Sequence, residues 1–239
     1  MSTQTSCLLR REAVAEGTMA FHLQKPAGFV FKPGQAIDLV LDAPELGEDS
    51  NRHAFSIVSA PHQTELTIAT RMRDSAFKRT LAKLEPGSAV EIDGPFGSMT
   101  LHNNVARPAC LIAGGIGITP FMSILRHATA VKSAHHLLLI YSNRRPEDAA
   151  FLDELKDLTR RNDRFRQVAT MTGMDKSKSP WNGETRRIDA PLIAGVLAEM
   201  PESIFYAVGP PNMVASVRSA LVAAGVDEDY VRSEEFFGY

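Results

Sequence analysis

Hydrophobic positions follow one rhythm in the first hundred residues and another afterwards. Early on, short β-type runs stand between turn signals. Leu39-Val40-Leu41, residues 65–70 and the alternating Ala89-Val90-Glu91-Ile92 are such runs, punctuated by Pro33-Gly34, Pro86-Gly87 and Gly94-Pro95. One segment departs from period two: Phe77, Leu81 and Leu84 recur at helical spacing and predict a short helix over residues 75–84. Beyond residue 108, buried-strand runs alternate with amphipathic stretches. Strands are predicted at residues 109–113, 136–141, 167–171 and 203–208. Helices are predicted at 121–127, 146–161, 191–200 and 211–224, with Pro146 in a first turn. Such alternation implies a parallel sheet with helices on both faces. The polar stretch 173–187, with Gly, Ser and Pro, reads as a surface loop. A boundary is expected at residues 103–107, giving units 1–104 and 105–239.

Composition narrows the function classes. The 239 residues are 44% hydrophobic and 23% charged, as in an ordinary globular protein, and the net charge of −2 lacks the basic excess of a nucleic-acid binder. Cys7 and Cys110 are far apart, and neither belongs to a metal-spaced cluster. They cannot supply the four thiolates of a plant-type iron–sulfur centre, so no metal site is expected. The opening MSTQTSCLLR lacks the apolar core of a secretory leader. The most apolar stretch, residues 111–125, is short for a membrane span and is broken by glycines and a proline. A cytoplasmic protein without a membrane span is expected.

Four short motifs carry chemistry. Gly114-Gly115-Ile116-Gly117-Ile118-Thr119-Pro120 follows a strand and opens a helix. Glycines there let backbone approach a pyrophosphate, and the helix start offers free N–H groups; the same turn also serves simply to join a strand to a helix. Arg52-His53-Ala54-Phe55-Ser56 combines a donor fork for phosphate with an aromatic ring and a hydroxyl, although an exposed Arg at a strand start looks the same. Gly94-Pro95-Phe96-Gly97-Ser98 reads as a rigid turn closing the β half. Val208-Gly209-Pro210-Pro211-Asn212-Met213 puts a turn at the carboxyl end of a strand, where open α/β sheets bind ligands.

In this order and spacing, with the terminal Glu234-Glu235-Phe236-Phe237-Gly238-Tyr239, the motifs resemble the ferredoxin–NADP reductase superfamily over nearly the whole chain. The resemblance implies a six-stranded antiparallel β-barrel that binds FAD, followed by a Rossmann-like parallel α/β domain for NADH or NADPH. FMN is the lesser alternative to FAD. It implies that Arg52 binds flavin phosphate within the segment His53, Ala54, Phe55, that Phe55 stacks on the isoalloxazine, and that Ser56 bonds near the reactive nitrogen. Thr70, Arg71 and Met72 would contact the pyrophosphate and ribityl chain. Gly115, Gly117, Thr119 and Pro120 would receive the pyridine nucleotide, Thr119 nearest the nicotinamide, with Gly209, Pro210 and Met213 completing the pocket. Ser56 and Thr119 would flank the reacting rings.

The chain departs from the family pattern in three places. Ser75-Ala76-Phe77-Lys78 replaces the usual Gly-x-x-Ser at the barrel helix, putting a charge where a hydroxyl is common. Val208 stands where many members have Cys. Phe236, Phe237 and Tyr239 are candidates for covering the flavin. NADP-preferring members often have Ser-Arg after the third α/β strand. Here Thr170-Met171-Thr172 tilts the expectation towards NADH, while Arg144, Arg145, Lys176 and Lys178 offer charge nearby. Without a relay of its own, the chain would pass electrons to an external acceptor, a ferredoxin or an oxygenase component. The alternatives are a reductase of free flavin and a flavin-binding regulatory module without turnover.

Overall fold

The computed structural model describes residues 3–43, 46 and 50–237. Six strands come first: β1 (Gln4–Ala15), β2 (Thr18–Gln24), β3 (Ala36–Val40), β4 (Arg52–Ser56), β5 (Glu65–Arg71) and β6 (Ala89–Phe96). They pair antiparallel in the order β4-β3-β6-β1-β2-β5. The outer strands meet where Ile57 bridges Ile68 and the Val58 N–H donates to the Thr67 carbonyl at 2.8 Å, so the sheet curls into a barrel. Phe21, Leu23, Ile37, Leu39 and Ile68 fill it. Helix α1 (Ala76–Lys83) adds Phe77 and Leu81, as the helical spacing predicts. Ser75 caps it, its hydroxyl accepting from the Lys78 N–H at 3.2 Å.

The turn expected at residues 94–98 is different. β6 runs through Gly94-Pro95 to Phe96, which pairs with Ala36. Proline is tolerated because the register slips between Ala36 and Asp38, and Gly94, at φ 143°, takes a conformation that favours glycine.

The second half contains β7 (Ala109–Gly114), α2 (Thr119–Ala130), β8 (Leu137–Asn143), α3 (Leu152–Arg161), β9 (Phe165–Met171), α4 (Ala190–Glu199), β10 (Ile204–Gly209), α5 (Pro211–Ala223) and β11 (Val231–Glu235). The five strands are parallel, in the order β11-β10-β7-β8-β9. α2 and α3 pack on one face, α4 and α5 on the other. The chain steps outward from β7 to β8 to β9 and then returns to lay β10 against β7, so the strand order reverses there.

The helix expected over 146–161 is split. A 3-10 turn at Pro146–Asp148 is followed by Phe151 at φ 61°, and the α-helix begins only at Leu152. The break turns Asp148 inward, where Arg71 and Arg145 hold it. β11 is an edge strand of mostly polar residues with no hydrophobic period to announce it. The loop 173–187 is largely exposed but tied down. The Met171 N–H and the Trp181 indole both donate to the Glu184 carbonyl at 2.9 Å.

The halves share a core. Ala20, Val58, Ala69 and Met99 of the barrel join the cluster that contains Phe121 and Ile124 of α2. Ser123 donates to the Ser59 carbonyl at 2.6 Å. Arg126 donates to the Val58 carbonyl at 3.1 Å and grips Glu154 with two bonds of 2.7 Å. α2, which starts at the glycine turn, is thus fastened to the segment that follows β4. Among the described residues, no helix is long and apolar enough to cross a membrane.

Candidate active site

A cleft of about 800 Å³ opens at the carboxyl ends of the parallel strands, where their order reverses. Gly114 and Gly115 end β7 on one side, and Pro210 and Met213 start α5 on the other. Gly115 has φ 54° and open space where a Cβ would stand, so its backbone is accessible to a ligand. Gly117 is required for packing: a Cβ there would run into the Val208 carbonyl. A Cβ on Gly209 would lie 3.1 Å from the Gly114 α-carbon, so the two turns are pressed together. Thr119 is buried, its hydroxyl donating to the Ile116 carbonyl at 3.0 Å, and Pro120 occupies the first turn of α2. Gly115, Pro210, Met213 and Arg71 line the cleft, whereas Gly117, Thr119, Pro120 and Gly209 do not border it.

On the barrel side, strand parity separates residues that the sequence runs together. Neighbours two apart share a face of β4; neighbours three apart do not. Arg52 and Phe55 therefore point to opposite faces. Arg52 is taken by two carboxylates, Asp38 at 3.0 Å and Asp93 at 2.9 Å, whose bonds push its pKa up further. Ala54 shares its face and is exposed. Phe55 is only 5% exposed, its centroid 6.0 Å from Phe77. The residue beside it is His53, whose ring meets Phe77 edge-on at 4.5 Å. The structure does not bring Arg52 and Phe55 to one ligand face, and it leaves Phe55 enclosed by protein.

The start of α1 collects positive charge. Its first turn contains no acidic residue. Burial, then the charge of Arg73, lowers the Lys78 pKa; burial, then the charge of Lys78, lowers that of His53. Ser75 and Ala76 open the helix there. Thr70 is fully buried, and Met72 is half-buried and donates its N–H to the Gly17 carbonyl at 2.8 Å. Arg71 crosses to the second domain, meeting Asp148 at 3.1 Å. Ser56 is buried, and its hydroxyl bonds to no described residue.

Phe237 is 72% exposed, whereas its neighbour Phe236 lines the cleft and donates its N–H to the Gly209 carbonyl at 2.9 Å. Tyr239 lies outside the described residues. Sequence reasoning passed over Asn143, Asp148 and Arg187, all of which line the cleft. Asn143 is the most informative: it is 6% exposed, and among the described residues neither its side-chain oxygen nor its nitrogen makes a well-formed hydrogen bond, the Tyr141 hydroxyl being the neighbouring polar group. A buried amide left unpaired is costly, which marks the spot for a ligand. Its place at the end of β8 was the available signal.

Comparisons with known proteins agree with this geometry. Residues 111–219 match the family described as Oxidoreductase NAD-binding domain. Ferredoxin–NADP reductase B of Sorangium cellulosum is 31% identical over 228 residues, 91% of this chain and 90% of that protein. The glycine betaine monooxygenase reductase subunit of Chromohalobacter salexigens is 26% identical over 92% of this chain, which spans only 60% of that relative's length. A crystal structure of a ferredoxin NADP+ reductase from Neisseria gonorrhoeae, with bound FAD and NADP, shares the fold at a TM-score of 0.81 and 22% identity, covering 98% of this chain and 99% of that one. With a barrel fastened to a nucleotide-type parallel sheet, and sequence similarity running through both, this chain belongs to the ferredoxin–NADP reductase superfamily.

Proposed function

We propose that the chain is an NAD(P)H-dependent FAD flavoprotein that passes electrons to a separate acceptor protein of the ferredoxin or oxygenase-component kind. The observation that carries this reading is the cleft itself: two glycine turns face each other at the strand-order reversal, beside an unpaired buried amide and next to barrel residues. The relatives' names, a ferredoxin–NADP reductase and a monooxygenase reductase subunit, support the acceptor class.

The donor set fits both cofactors. FAD, when bound, supplies the chemistry that takes up a hydride from the nicotinamide and releases electrons singly. The protein's part is placement. The open Gly115 backbone and the start of α2 would receive a pyrophosphate through N–H groups. The Thr119 hydroxyl, held by Ile116, would fix the wall beside the nicotinamide. Ser56 has a hydroxyl that bonds to none of the described residues and would meet the flavin's polar edge. Lys78 and His53, at a helix start without acidic residues, would face the flavin phosphates in the role that the motif suggested for Arg52. The Ser123 and Arg126 bonds to the segment after β4 would hold the two ring sites in fixed relation.

The engagement of Arg52 by Asp38 and Asp93 also favours a second reading, a loosely bound flavin used as substrate. Gel filtration separates the two: flavin that stays with the protein supports the resident cofactor, and flavin lost completely supports the substrate. Anaerobic mixing with NADH and with NADPH tests the reading as a whole, because absence of bleaching at the flavin absorbance with both would sink it.

A further inference from the structure

We propose that a second cavity, at the opposite end of α2 from the glycine turn, binds a small monocarboxylate with an apolar body. The cavity shares no lining residue with the cleft, so the site is independent of the reductase reading. Its volume is about 330 Å³, at the small end of ligand pockets, which run from roughly 300 to 1,000 Å³. Segments of both domains build it. Lys32 comes from the loop before β3 and residues 100–103 from the link between the domains. His127 and Val131 come from the end of α2, and His135 from the loop before β8.

The polar part of the wall is fixed without a ligand. His102 and His135 are both under one-tenth exposed. Nε2 of His102 lies 3.0 Å from the Arg107 carbonyl, and Nε2 of His135 lies 3.0 Å from the His102 carbonyl. A carbonyl only accepts, so each ring has a proton at Nε2. Nδ1 then accepts from a hydroxyl, that of Tyr206 at 2.9 Å for His102 and that of Ser133 at 3.1 Å for His135. Both imidazoles are saturated and serve as scaffold.

Two groups are left over. The Lys32 ammonium forms no ion pair or hydrogen bond with any described residue. The His127 ring forms no hydrogen bond with any described residue either, and its Nδ1 is buried. No Asp or Glu lines the cavity to offset Lys32, and Leu101, Ile124, Ala128 and Val131 make its apolar surface. A lone cation and an imidazole donor beside a hydrocarbon wall suit one carboxylate on an apolar body. A doubly charged phosphate would hold part of its charge against that wall without compensation. A metal ion is disfavoured, because among the described residues no three His, Cys, Asp or Glu side chains are grouped to hold one.

The end of α2 does not oppose an anion as a bare helix terminus would. Lys132, at φ 51°, closes it. The Val131, Lys132 and Ser133 N–H groups donate to the carbonyls of His127, Thr129 and Ala128, so the last turn is capped. Lys132 also adds a cation next to Val131.

A carboxylate between Lys32 and His127 would bridge the barrel to α2. That helix starts at the glycine turn and is already tied to the barrel through Ser123 and Arg126. Occupancy of the cavity therefore stiffens the joint between the domains and stabilises the folded chain by mass action.

Benzoate is the probe, and benzamide its uncharged isostere. Each is titrated calorimetrically into the full chain without flavin or nucleotide. Benzoate, with about nine non-hydrogen atoms, should bind with a Kd of about 1 mM. Benzamide should bind about tenfold more weakly, because a charged hydrogen bond is worth roughly that factor. Lys32→Gln, at an exposed position, should bring the two affinities close together. Val131→Glu puts a like charge on the exposed rim and should weaken benzoate several-fold more than benzamide. Lys156→Gln removes a cation of α3 that pairs with Asp153, and should preserve the ratio. Saturating benzoate should raise the melting temperature of the parent chain and not of Val131→Glu. No saturable benzoate binding, equal affinities for benzoate and benzamide, or an unchanged ratio in Lys32→Gln would overturn the proposal. So would displacement of benzoate by 5′-AMP, which would put it in the cleft. Each of these results leaves the reductase reading standing, whereas benzoate binding as expected without flavin reduction by NADH or NADPH would sink that reading and support this site.

Discussion

In the barrel, what a side chain can reach depends on which face of a strand it occupies; in the parallel sheet, it depends on how close to the carboxyl end it lies. Arg52 and His53 are neighbours in sequence, yet one is bound to Asp38 and Asp93 while the other packs against Phe77. Around the cleft, residues from β7, β8 and the segment beyond β9 converge although they are tens of positions apart. A period-two element turns a single step in sequence into a change of partner, whereas parallel strands gather all their ends on one side. The barrel site is therefore sensitive to register, and the cleft to loop contents.

Breaking the seam between the two turns should have the largest effect. Gly117→Val forces a side chain into the Val208 carbonyl, and the overpacking should cost about 3 kcal/mol in urea unfolding as well as nucleotide-dependent flavin reduction. Arg126→Ala comes next. It removes a two-bond grip on Glu154 and a tie to the Val58 carbonyl, and should cost about 2 kcal/mol by the same measurement. A drop well below 1 kcal/mol would mean that the apolar core alone joins the halves.

Asn143→Leu sharpens the contrast, because in the cleft a defect of the free protein is an asset for binding. Removing an unpaired buried amide should leave thermal stability unchanged or raised. Affinities for 5′-AMP and adenosine 2′,5′-diphosphate should fall together, about tenfold. Unequal losses would place Asn143 on the phosphate and not on the shared nucleoside.

On the barrel, a paired comparison tests the parity argument. His53→Ala should weaken FAD retention several-fold in an equilibrium dialysis series, and Arg52→Ala should change it much less. The reverse ranking would return the phosphate role to Arg52.

The smallest expected effect is on pH dependence. Burial lowers the pKa of His53, His102 and His127. The folded state therefore resists protons that the unfolded chain accepts, so stability should fall as pH drops below about 6.5 and level off below the depressed folded values. Urea midpoints between pH 5 and 8 would show the slope; a flat profile would count against all three burials.

Much of the fold was legible in the sequence because patterns of burial are local. Ala109 to Ala113 is apolar throughout and became a central strand; Phe77 and Leu81 at helical spacing became the buried side of α1. β11 was not legible, since an edge strand of Arg, Ser and Glu is specified by its partner β10 and not by its own period. The break before α3 was hidden for a related reason. Residues 146–161 are amphipathic enough for one helix, but Asp148 is turned inward by arginines, and Arg71, 77 positions away, is one of them.

At the site, the sequence by itself displayed the glycine turns; the requirement at Gly115 is local, a positive φ, whereas the exclusion of a Cβ at Gly117 comes from the Val208 carbonyl that the fold packs against it. Order and spacing of the motifs also determined the family. Tertiary structure alone decided which face of β4 Arg52 occupies, that Phe236 and not Phe237 reaches the cleft, and that Arg144, Lys176 and Arg187 share one wall. The physical reason is that a side chain's charge and shape are fixed by its own residue, whereas its neutralising partner is set by chain packing. Only the packed chain shows that Asp148 satisfies two arginines and leaves Arg73, Arg144, Lys176 and Arg187 on the same cleft without an ion pair among the described residues.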